Sequence, residues 1–266
     1  MLVNLHTHTN LCDGNNTPEE MVLSAIDKGF DVLGFSGHGY TDHDLSYCMK
    51  DMDEYITIIS MLKEKYKDKI QIYTGVEEDV TFLHNRKKYD YILGSNHYVI
   101  KDGKFYSIDH KKENFPQLLK LFDNDSLKLA ENYYELLVDY VKKRKPDIIG
   151  HFDLITKYDE TEFACYFSNI KYHRLAEKYL LSAMEADCIF EVNTGAISRG
   201  YRTSVYPYEN LLGILCKNGA KIILSSDSHS KDTLDFYFTE TISMLKDIGF
   251  RHRYIYYNNE FIKVDL

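Results

Sequence analysis

Seven short apolar runs in the sequence end in small groups of polar residues, and most of these residues are metal-ligand types. The first run, Met1–Leu5, leads directly into His6-Thr7-His8. So short and β-branched a run is typical of a strand, in which residues two apart share a face. His6 and His8 are therefore predicted to project together. An isolated His-X-His tripeptide is a weak signal, compatible with ordinary hydrogen bonding, but its likeness to six further strand ends favours a metal site.

The six other predicted strands follow the same pattern. In chain order they end in Gly37-His38, Gly75-Val76-Glu77, Gly94-Ser95-Asn96-His97, Gly150-His151-Phe152-Asp153, Asn193-Thr194-Gly195 and Ser225-Ser226-Asp227-Ser228-His229. Helices are predicted between them; the first begins at the capping box of Thr17 and Glu20 and ends at Gly29. Strands alternating with helices predict an α/β fold with a parallel sheet. At 266 residues, the chain is expected to form a single-domain closed or nearly closed barrel over residues 1–266.

The alternation of strands and helices is interrupted by one insertion, and it is followed by a C-terminal helix and strand. Between His97 and Asp147 we predict a helical insertion, about residues 98–146, with a long amphipathic helix over Ser126–Lys143. After the last polar motif we predict a helix over about Lys231–Ile248 and a final strand near Tyr254.

Charge and cysteine content narrow the class of function. The net charge of −9 argues against a nucleic-acid backbone as the main partner. No basic and apolar leader opens the sequence, and no apolar stretch is long enough to span a bilayer. The five cysteines are scattered and form no C-x-x-C pair, which predicts free thiols in a reducing cytoplasm. Cys12 lies beside the first motif, but the neighbouring Asp13 is the more suitable ligand there.

The polar strand ends supply nine candidate metal ligands, since parallel strands place their carboxyl ends on one rim of a barrel. These ligands are His6, His8, Asp13, His38, Glu77, His97, His151, Asp227 and His229. One zinc-like ion usually takes four ligands, so nine suffice for two or three ions if one carboxylate bridges. Glu77 is the only glutamate of the set and is the predicted bridge. Without cysteine among the ligands, Zn²⁺, Mn²⁺ and Fe²⁺ all remain open.

In order and over nearly the whole chain, these motifs resemble the motif series of the polymerase-and-histidinol-phosphatase (PHP) superfamily. The resemblance implies a distorted (β/α)7 TIM-like barrel with three metal ions. It implies a first metal held by His6, His8, Glu77 and Asp227, a second by Glu77, His97 and His151, and a third by Asp13, His38 and His229. Among these ligands, Glu77, Asp227 and His229 are predicted to take part in catalysis. Many members have aspartate where this chain has Gly37, and some have histidine where it has Asp13.

The length, the helical insertion and the segment Glu191–Gly200 further resemble the monofunctional histidinol-phosphate phosphatase branch. In that branch an arginine after the Asn-Thr strand contacts the substrate phosphate, and the matches here are Arg199 and, second, Arg202. Lys157 stands where another phosphate-binding arginine is expected, and it can neutralise phosphate without a bidentate fork. His43, in a loop predicted to overhang the site, is a further candidate for substrate contact or proton donation.

The resemblance implies a metal-dependent phosphomonoesterase that hydrolyses L-histidinol phosphate to L-histidinol and phosphate in histidine biosynthesis. Other functions stay open: hydrolysis of another small phosphorylated metabolite, a phosphodiesterase or nuclease activity, hydrolysis of C–N or C–O bonds on a similar barrel, or a degenerate non-catalytic module. The acidic charge and the lack of a basic, aromatic-laced stripe disfavour nucleic acid. The complete ligand set disfavours a degenerate module.

Overall fold

The computed structural model describes residues 1–266, in which strands and helices alternate around a central sheet. The strands are β1 (Val3–Asn4), β2 (Val32–Phe35), β3 (Gln71–Asp79), β4 (Tyr91–Ser95), β5 (Tyr98–Lys101), β6 (Lys104–Ser107), β7 (Ile148–Ile149), β8 (Ile189–Asn193), β9 (Ile222–Ser225), β10 (His252–Tyr257) and β11 (Glu260–Asp265). The helices are α1 (Pro18–Asp27), α2 (Met52–Lys65), α3 (Phe115–Leu121), α4 (Ser126–Arg144), α5 (Ile170–Met184), α6 (Gly195–Ser198), α7 (Glu209–Lys217) and α8 (Phe238–Ile248). None of these helices has the length and apolar character needed to cross a membrane.

Seven parallel strands form a nearly closed barrel, which confirms the predicted (β/α)7 fold. Their order in the sheet is β1-β2-β3-β4-β7-β8-β9, the order of the chain. Just beyond β1 and β9, a parallel bridge joins Thr7 to Ser228. The amide of His8 donates to the carbonyl of Ser228 at 2.8 Å, and the amide of Ser228 donates to the carbonyl of His6 at 3.1 Å. The first and last polar motifs are thus held side by side.

The interior of the barrel changes from apolar at the amino ends of the strands to polar at their carboxyl ends. In β3 the buried side chain of Tyr73 belongs to an apolar cluster of the barrel strands, whereas Glu77 on the same strand face is a buried carboxylate. In β8, Ile189 and Glu191 repeat this change. The C-terminal hairpin packs into the apolar cluster through Ile255. The polar, chemistry-bearing end is therefore the carboxyl rim, as the strand ends predict.

Local signals account for the helix boundaries that the sequence predicts well. The Thr17 hydroxyl accepts from the amide of Glu20, and the Glu20 carboxylate accepts from the amide of Thr17 at 2.8 Å, which completes the capping box of α1. Asp125 caps α4 in a similar way by accepting from the amides of Leu127 and Lys128. The long helix of the insertion is thereby confirmed.

Two predictions of local structure need correction. The insertion is not only helical, because it begins with the antiparallel hairpin of β5 and β6. The last helix begins at Phe238 rather than near Lys231, since Tyr237 takes a left-handed conformation with φ of 62° that separates it from the short 3₁₀ turn Lys231–Thr233. The strand near Tyr254 exists, but it pairs with β11 outside the barrel sheet.

Candidate metal centre

Glu77 lies at the centre of the rim, with a side chain that is almost completely buried. Its Oε2 atom faces three histidines. It lies 3.4 Å from His6 Nε2, 3.6 Å from His8 Nε2 and 2.9 Å from His38 Nδ1. The two histidines of the first motif thus project to the same side, in agreement with the alternation of side chains along an extended segment.

The other oxygen of Glu77 faces a second set of histidines. Oε1 lies 2.9 Å from His151 Nε2 and 3.4 Å from His97 Nε2. One carboxylate therefore stands between two groups of imidazoles, each approached by a different oxygen. This is the arrangement that a carboxylate bridging two cations requires.

Two aspartates complete the cluster. Asp227 Oδ1 lies 3.2 Å from His8 Nε2 and 3.6 Å from His6 Nε2. Asp13, which is more exposed, places Oδ2 3.2 Å from His229 Nε2 and Oδ1 3.4 Å from His8 Nδ1. All nine ligands predicted from the sequence therefore meet at one rim.

The donor atoms fit divalent cations. His6 Nε2, His8 Nε2 and Glu77 Oε2 face one another, are buried, and have no hydrogen-bond partner. Buried polar atoms are normally paired, so unpaired nitrogen and carboxylate donors facing a shared space are suited to a metal ion. Four overlapping groups bring donor atoms close enough to hold an ion: His8, Asp13, His38 and His229; His6, His8 and Asp227; His6, Glu77 and His151; and His38, Glu77 and His97.

The electrostatics of the cluster favour bound positive charge. Burial opposes ionisation of Glu77, but the histidines around it, His38 first, hold the pKa of its carboxyl well below the usual range. Burial likewise opposes protonation of His6, yet Glu191, Asp227 and Glu77 raise its pKa to about 10. Because metal ions compete with protons for such nitrogens, the same carboxylates that raise this pKa would stabilise a bound cation.

Two buried carboxylates that sequence reasoning did not single out orient the ligands. His6 Nδ1 donates to Glu191 Oε1 at 2.6 Å, which leaves Nε2 directed at the cluster. His97 Nδ1 donates to Asp79 Oδ2 at 3.0 Å with the same consequence. Carboxylates in this position fix the ring orientation and the tautomer of metal-binding histidines. The available signal was the two-residue period, since Glu191 precedes Asn193 and Asp79 follows Glu77 on one strand face.

The rim opens into a cavity of about 290 Å³, near the lower end of the range for small-molecule sites. Besides ligands of the cluster, its walls come from loops that follow the strands. The loop after β2 contributes Asp44, Ser46 and Tyr47; the insertion contributes Ser107, Asp109 and His110; the segments after β7 and β8 contribute Leu154, Lys157, Arg199 and Tyr201.

Arg199 and Lys157 both line this cavity, as predicted for residues that face a substrate. The Arg199 guanidinium donates to the carboxylate and to the carbonyl of Asp227 at 2.9 Å each, and it lies 2.8 Å from His229 Nδ1, directly beside the cluster. Lys157 Nζ donates to the carbonyl of Asp109 at 2.9 Å and lies 4.4 Å from the centre of the Tyr201 ring. The two cationic side chains thus have different protein partners, but both line the same cavity.

The charge of Arg199 also affects the pKa of the neighbouring His229. Burial, His8 and Arg199 together lower the pKa of His229 to about 4, so this imidazole is neutral at pH 7 and can offer a nitrogen lone pair. Burial of Arg199 itself opposes its charge, but Asp227 outweighs burial and raises its pKa above the ordinary value.

The structure does not bring Arg202 or His43 to the cavity wall. The guanidinium of Arg202 is buried, donates to Thr156 Oγ1 at 2.8 Å and lies over the ring of Tyr206 at 4.3 Å. Its guanidinium therefore stabilises the chain behind the cavity, and a contact of Arg202 with substrate stays a prediction. His43 forms a hydrogen bond with Thr41 Oγ1 at 2.6 Å, and its ring stacks on Phe105. Its contact with substrate likewise stays a prediction.

Comparison with known proteins adds the family. A model of the PHP domain matches residues 4–195. The chain belongs to the PHP domain family. A relative from Schizosaccharomyces pombe, named "probable histidinol-phosphatase", is 30% identical over 232 residues, which cover 79% of this chain and 74% of the relative. The histidinol-phosphatase of Bacillus subtilis is 25% identical over 250 residues, covering 84% of this chain and 92% of that protein.

A solved structure shares the barrel fold. The crystal structure of histidinol phosphate phosphatase from Lactococcus lactis subsp. lactis, complexed with zinc, L-histidinol and phosphate, matches with a TM-score of 0.74 and covers 98% of both chains. The sequences are 18% identical, so this likeness concerns the fold.

Gly37, where the family resemblance implies aspartate, lies in a crowded position. A Cβ atom at Gly37 would lie 2.9 Å from the sulfur of Cys12. That sulfur lies 3.6 Å from His8 Nδ1, so Cys12 occupies the space beside the ligand that a larger residue would need. The next residue, His38, belongs to the cluster.

Proposed function

We propose that this chain is a metal-dependent phosphomonoesterase that hydrolyses L-histidinol phosphate to L-histidinol and phosphate in histidine biosynthesis. The observation that carries the proposal is the placement of both Glu77 oxygens between separate histidine groups, with Arg199 beside them at a small cavity. Relatives named histidinol-phosphatases support the choice of substrate. The zinc, L-histidinol and phosphate in the Lactococcus structure support it as well.

The metal centre is proposed to hold two or three ions of Zn²⁺, Mn²⁺ or Fe²⁺. Glu77 would bridge two of them, in line with the different histidines at its two oxygens. The ions would supply an activated water and neutralise charge on the phosphate. For the third ion, the grouping of Asp13, His38 and His229 also includes His8, which offers Nδ1 to Asp13.

The chain's own residues would position the phosphate. Arg199 is fixed by Asp227 and His229 and lines the cavity, so its planar guanidinium is available to phosphate oxygens that approach the cluster. Lys157 would contribute a second positive charge, weakened by Asp109, whose Oδ2 lies 3.4 Å from Nζ. Tyr47 and Tyr201 on the walls would limit the access of water to the ester. Because their side chains lie in the cluster that would hold the ions, Glu77, Asp227 and His229 are the proposed catalytic ligands.

We further propose that residues 1–266 act as one catalytic domain and that the enzyme works in the cytoplasm. The insertion of about 98–146 is fastened to the barrel, since Arg144 of α4 binds the Glu78 carboxylate of β3 at 2.6 and 2.8 Å. All five cysteines are free thiols, which suits a reducing compartment.

The test is phosphate release from L-histidinol phosphate by metal-stripped protein before and after reloading with Zn²⁺ or Mn²⁺. We expect phosphate release only after reloading. Release from L-histidinol phosphate should be faster than release from other phosphorylated metabolites, from p-nitrophenyl phosphate or from the diester bis(p-nitrophenyl) phosphate. A higher kcat/KM for a different metabolite would replace the substrate while keeping the reaction class. Preference for the diester would overturn the phosphomonoesterase proposal.

A further inference from the structure

Asp44 differs from every other carboxylate that lines the cavity. Asp13 and Glu77 lie against the histidines of the cluster. Asp227 pairs with Arg199 at 2.9 Å, and Asp109 lies 3.4 Å from Lys157 Nζ. Asp44 lines the same cavity but has no cationic side chain within 4 Å. It is therefore the one wall carboxylate whose charge is left for something that enters the cavity.

The loop holds this carboxylate in a defined position. Asp44 Oδ1 accepts from the amide of Ser46 at 3.0 Å and from its hydroxyl at 2.6 Å, whereas Oδ2 accepts no hydrogen bond from the protein. Tyr47 fastens the same loop to the metal centre, because its ring packs edge-on against His38 at 4.7 Å between ring centres. A half-buried carboxylate with one oxygen tied and one oxygen free thus overhangs the rim.

The proposed substrate carries a matching charge. In L-histidinol phosphate a primary ammonium lies two carbons from the ester oxygen, so a phosphate held at the metal centre and Arg199 would leave the ammonium in the cavity. Primary amines remain protonated at neutral pH, whereas an imidazole with an ordinary pKa of about 6.5 is largely neutral. The ammonium is therefore the constant positive charge that the wall must accommodate.

We propose that Asp44 binds the substrate ammonium and selects amino-alcohol phosphates over phosphate esters without a cation. This inference rests on the proposed function. Asp109, the other wall carboxylate, is less suited because Lys157 and Ser107 already bind it. Arg199 binds the phosphate and Asp44 binds the ammonium, so the two charged groups of the substrate are recognised by side chains of opposite charge.

The test compares Asp44→Asn with wild type on two substrates that differ only in the ammonium: L-histidinol phosphate and 3-(imidazol-4-yl)propyl phosphate. Asparagine keeps the oxygen that accepts from Ser46, so the loop is preserved while the charge is lost. We expect KM for L-histidinol phosphate to rise about 10-fold, the scale of a partly exposed charged hydrogen bond. KM for the deamino ester should stay within about 2-fold.

Asp42→Asn is the matched control, since Asp42 lies in the same loop, is exposed and does not line the cavity. It should change neither KM. Equal changes for both substrates in Asp44→Asn, or no change for either, would overturn the assignment of Asp44.

Failure of the proposed function would be recognised separately, as a wild-type protein that does not hydrolyse L-histidinol phosphate but does release phosphate from other monoesters. The pair O-phosphoethanolamine and ethyl phosphate would then decide the role of Asp44. A wild-type preference for the ammonium ester that Asp44→Asn abolishes supports the assignment. A preference that Asp44→Asn retains, or no preference at all, overturns it.

Discussion

The rim of the barrel and the loop wall above it hold their polar groups in contrasting ways. At the rim, the side chains of His6, Glu77 and Asp227 are almost wholly buried and each faces several others. On the wall, Asp44 and Asp109 are partly exposed and have few partners. The proposed metal ligands thus belong to the framework, whereas the proposed contacts for substrate selection lie on loops that can change without disturbing the barrel. The effect of a substitution on activity should therefore decrease from the rim to the loop wall.

Glu77→Gln should have the largest effect and reduce kcat to that of the metal-free protein. The amide keeps the shape but loses the charge that would hold two cations, and even partners behind metal ligands are worth about 10- to 100-fold. Phosphate release and metal content per chain are the measurements. Wild-type turnover with unchanged metal content would remove Glu77 as the bridge.

The adjacent Glu78→Gln is the control for Glu77. Glu78 is equally buried but binds Arg144 and Tyr140. Its loss should lower the free energy of unfolding by about 3–5 kcal/mol, as for a broken buried ion pair, with metal content retained.

Arg199→Ala should follow, with kcat/KM for the phosphomonoester reduced about 30- to several-thousand-fold, equivalent to about 2–5 kcal/mol. Arg199 borders the rim without belonging to the ligand set, so the metal content should stay normal. Steady-state kinetics with metal analysis would measure both.

Arg202→Ala sharpens the contrast with Arg199, because its guanidinium is buried near Asp153 at 3.8 Å and away from the cavity. It should cost stability, on the order of 3 kcal/mol, and leave kcat/KM of the folded protein close to wild type. If Arg202→Ala lost activity while Arg199→Ala kept it, the phosphate contact would have been assigned to the wrong arginine.

Glu191→Gln should weaken metal affinity or activity about 10- to 100-fold, the usual effect of removing the partner of a metal-binding histidine. The amide can still accept from His6 Nδ1, but it no longer fixes the ring through a full negative charge. Competition with a chelator would measure the affinity. An unchanged affinity would mean that the barrel alone orients His6.

His43→Ala should have the smallest effect, with kcat/KM within about 3-fold of wild type, since its ring bonds Thr41 and stacks on Phe105. A larger loss confined to kcat, with a changed pH profile, would support His43 as a proton donor and indicate that this loop closes further over the substrate.

The difference between rim and wall also explains how much the sequence could predict. Ligands such as His6 and Glu77 follow apolar runs, and the barrel topology then gathers them at one rim. Glu191 lies within an apolar strand, two residues before the strand ends at Asn193. To predict its role, one must know that the inner face of β8 is already polar at this position. The strand pair β5–β6 had a readable signal, the turn Asp102-Gly103 with φ of 50° and 72°, which is typical of a two-residue hairpin. Asp44 had none, because the position of a loop residue depends on tertiary contacts.

The bridge between Thr7 and Ser228 also affects when the site can form. The ribosome delivers His6 and His8 at the start of synthesis, yet Asp227 and His229 emerge only after β9. A growing chain therefore lacks Asp227 and His229 for most of its translation, and it gains the full set of candidate ligands only when its last barrel strand docks against its first. We expect metal to bind after translation and to stabilise the contact between β1 and β9. Metal scarcity should therefore reduce the amount of folded protein as well as turnover.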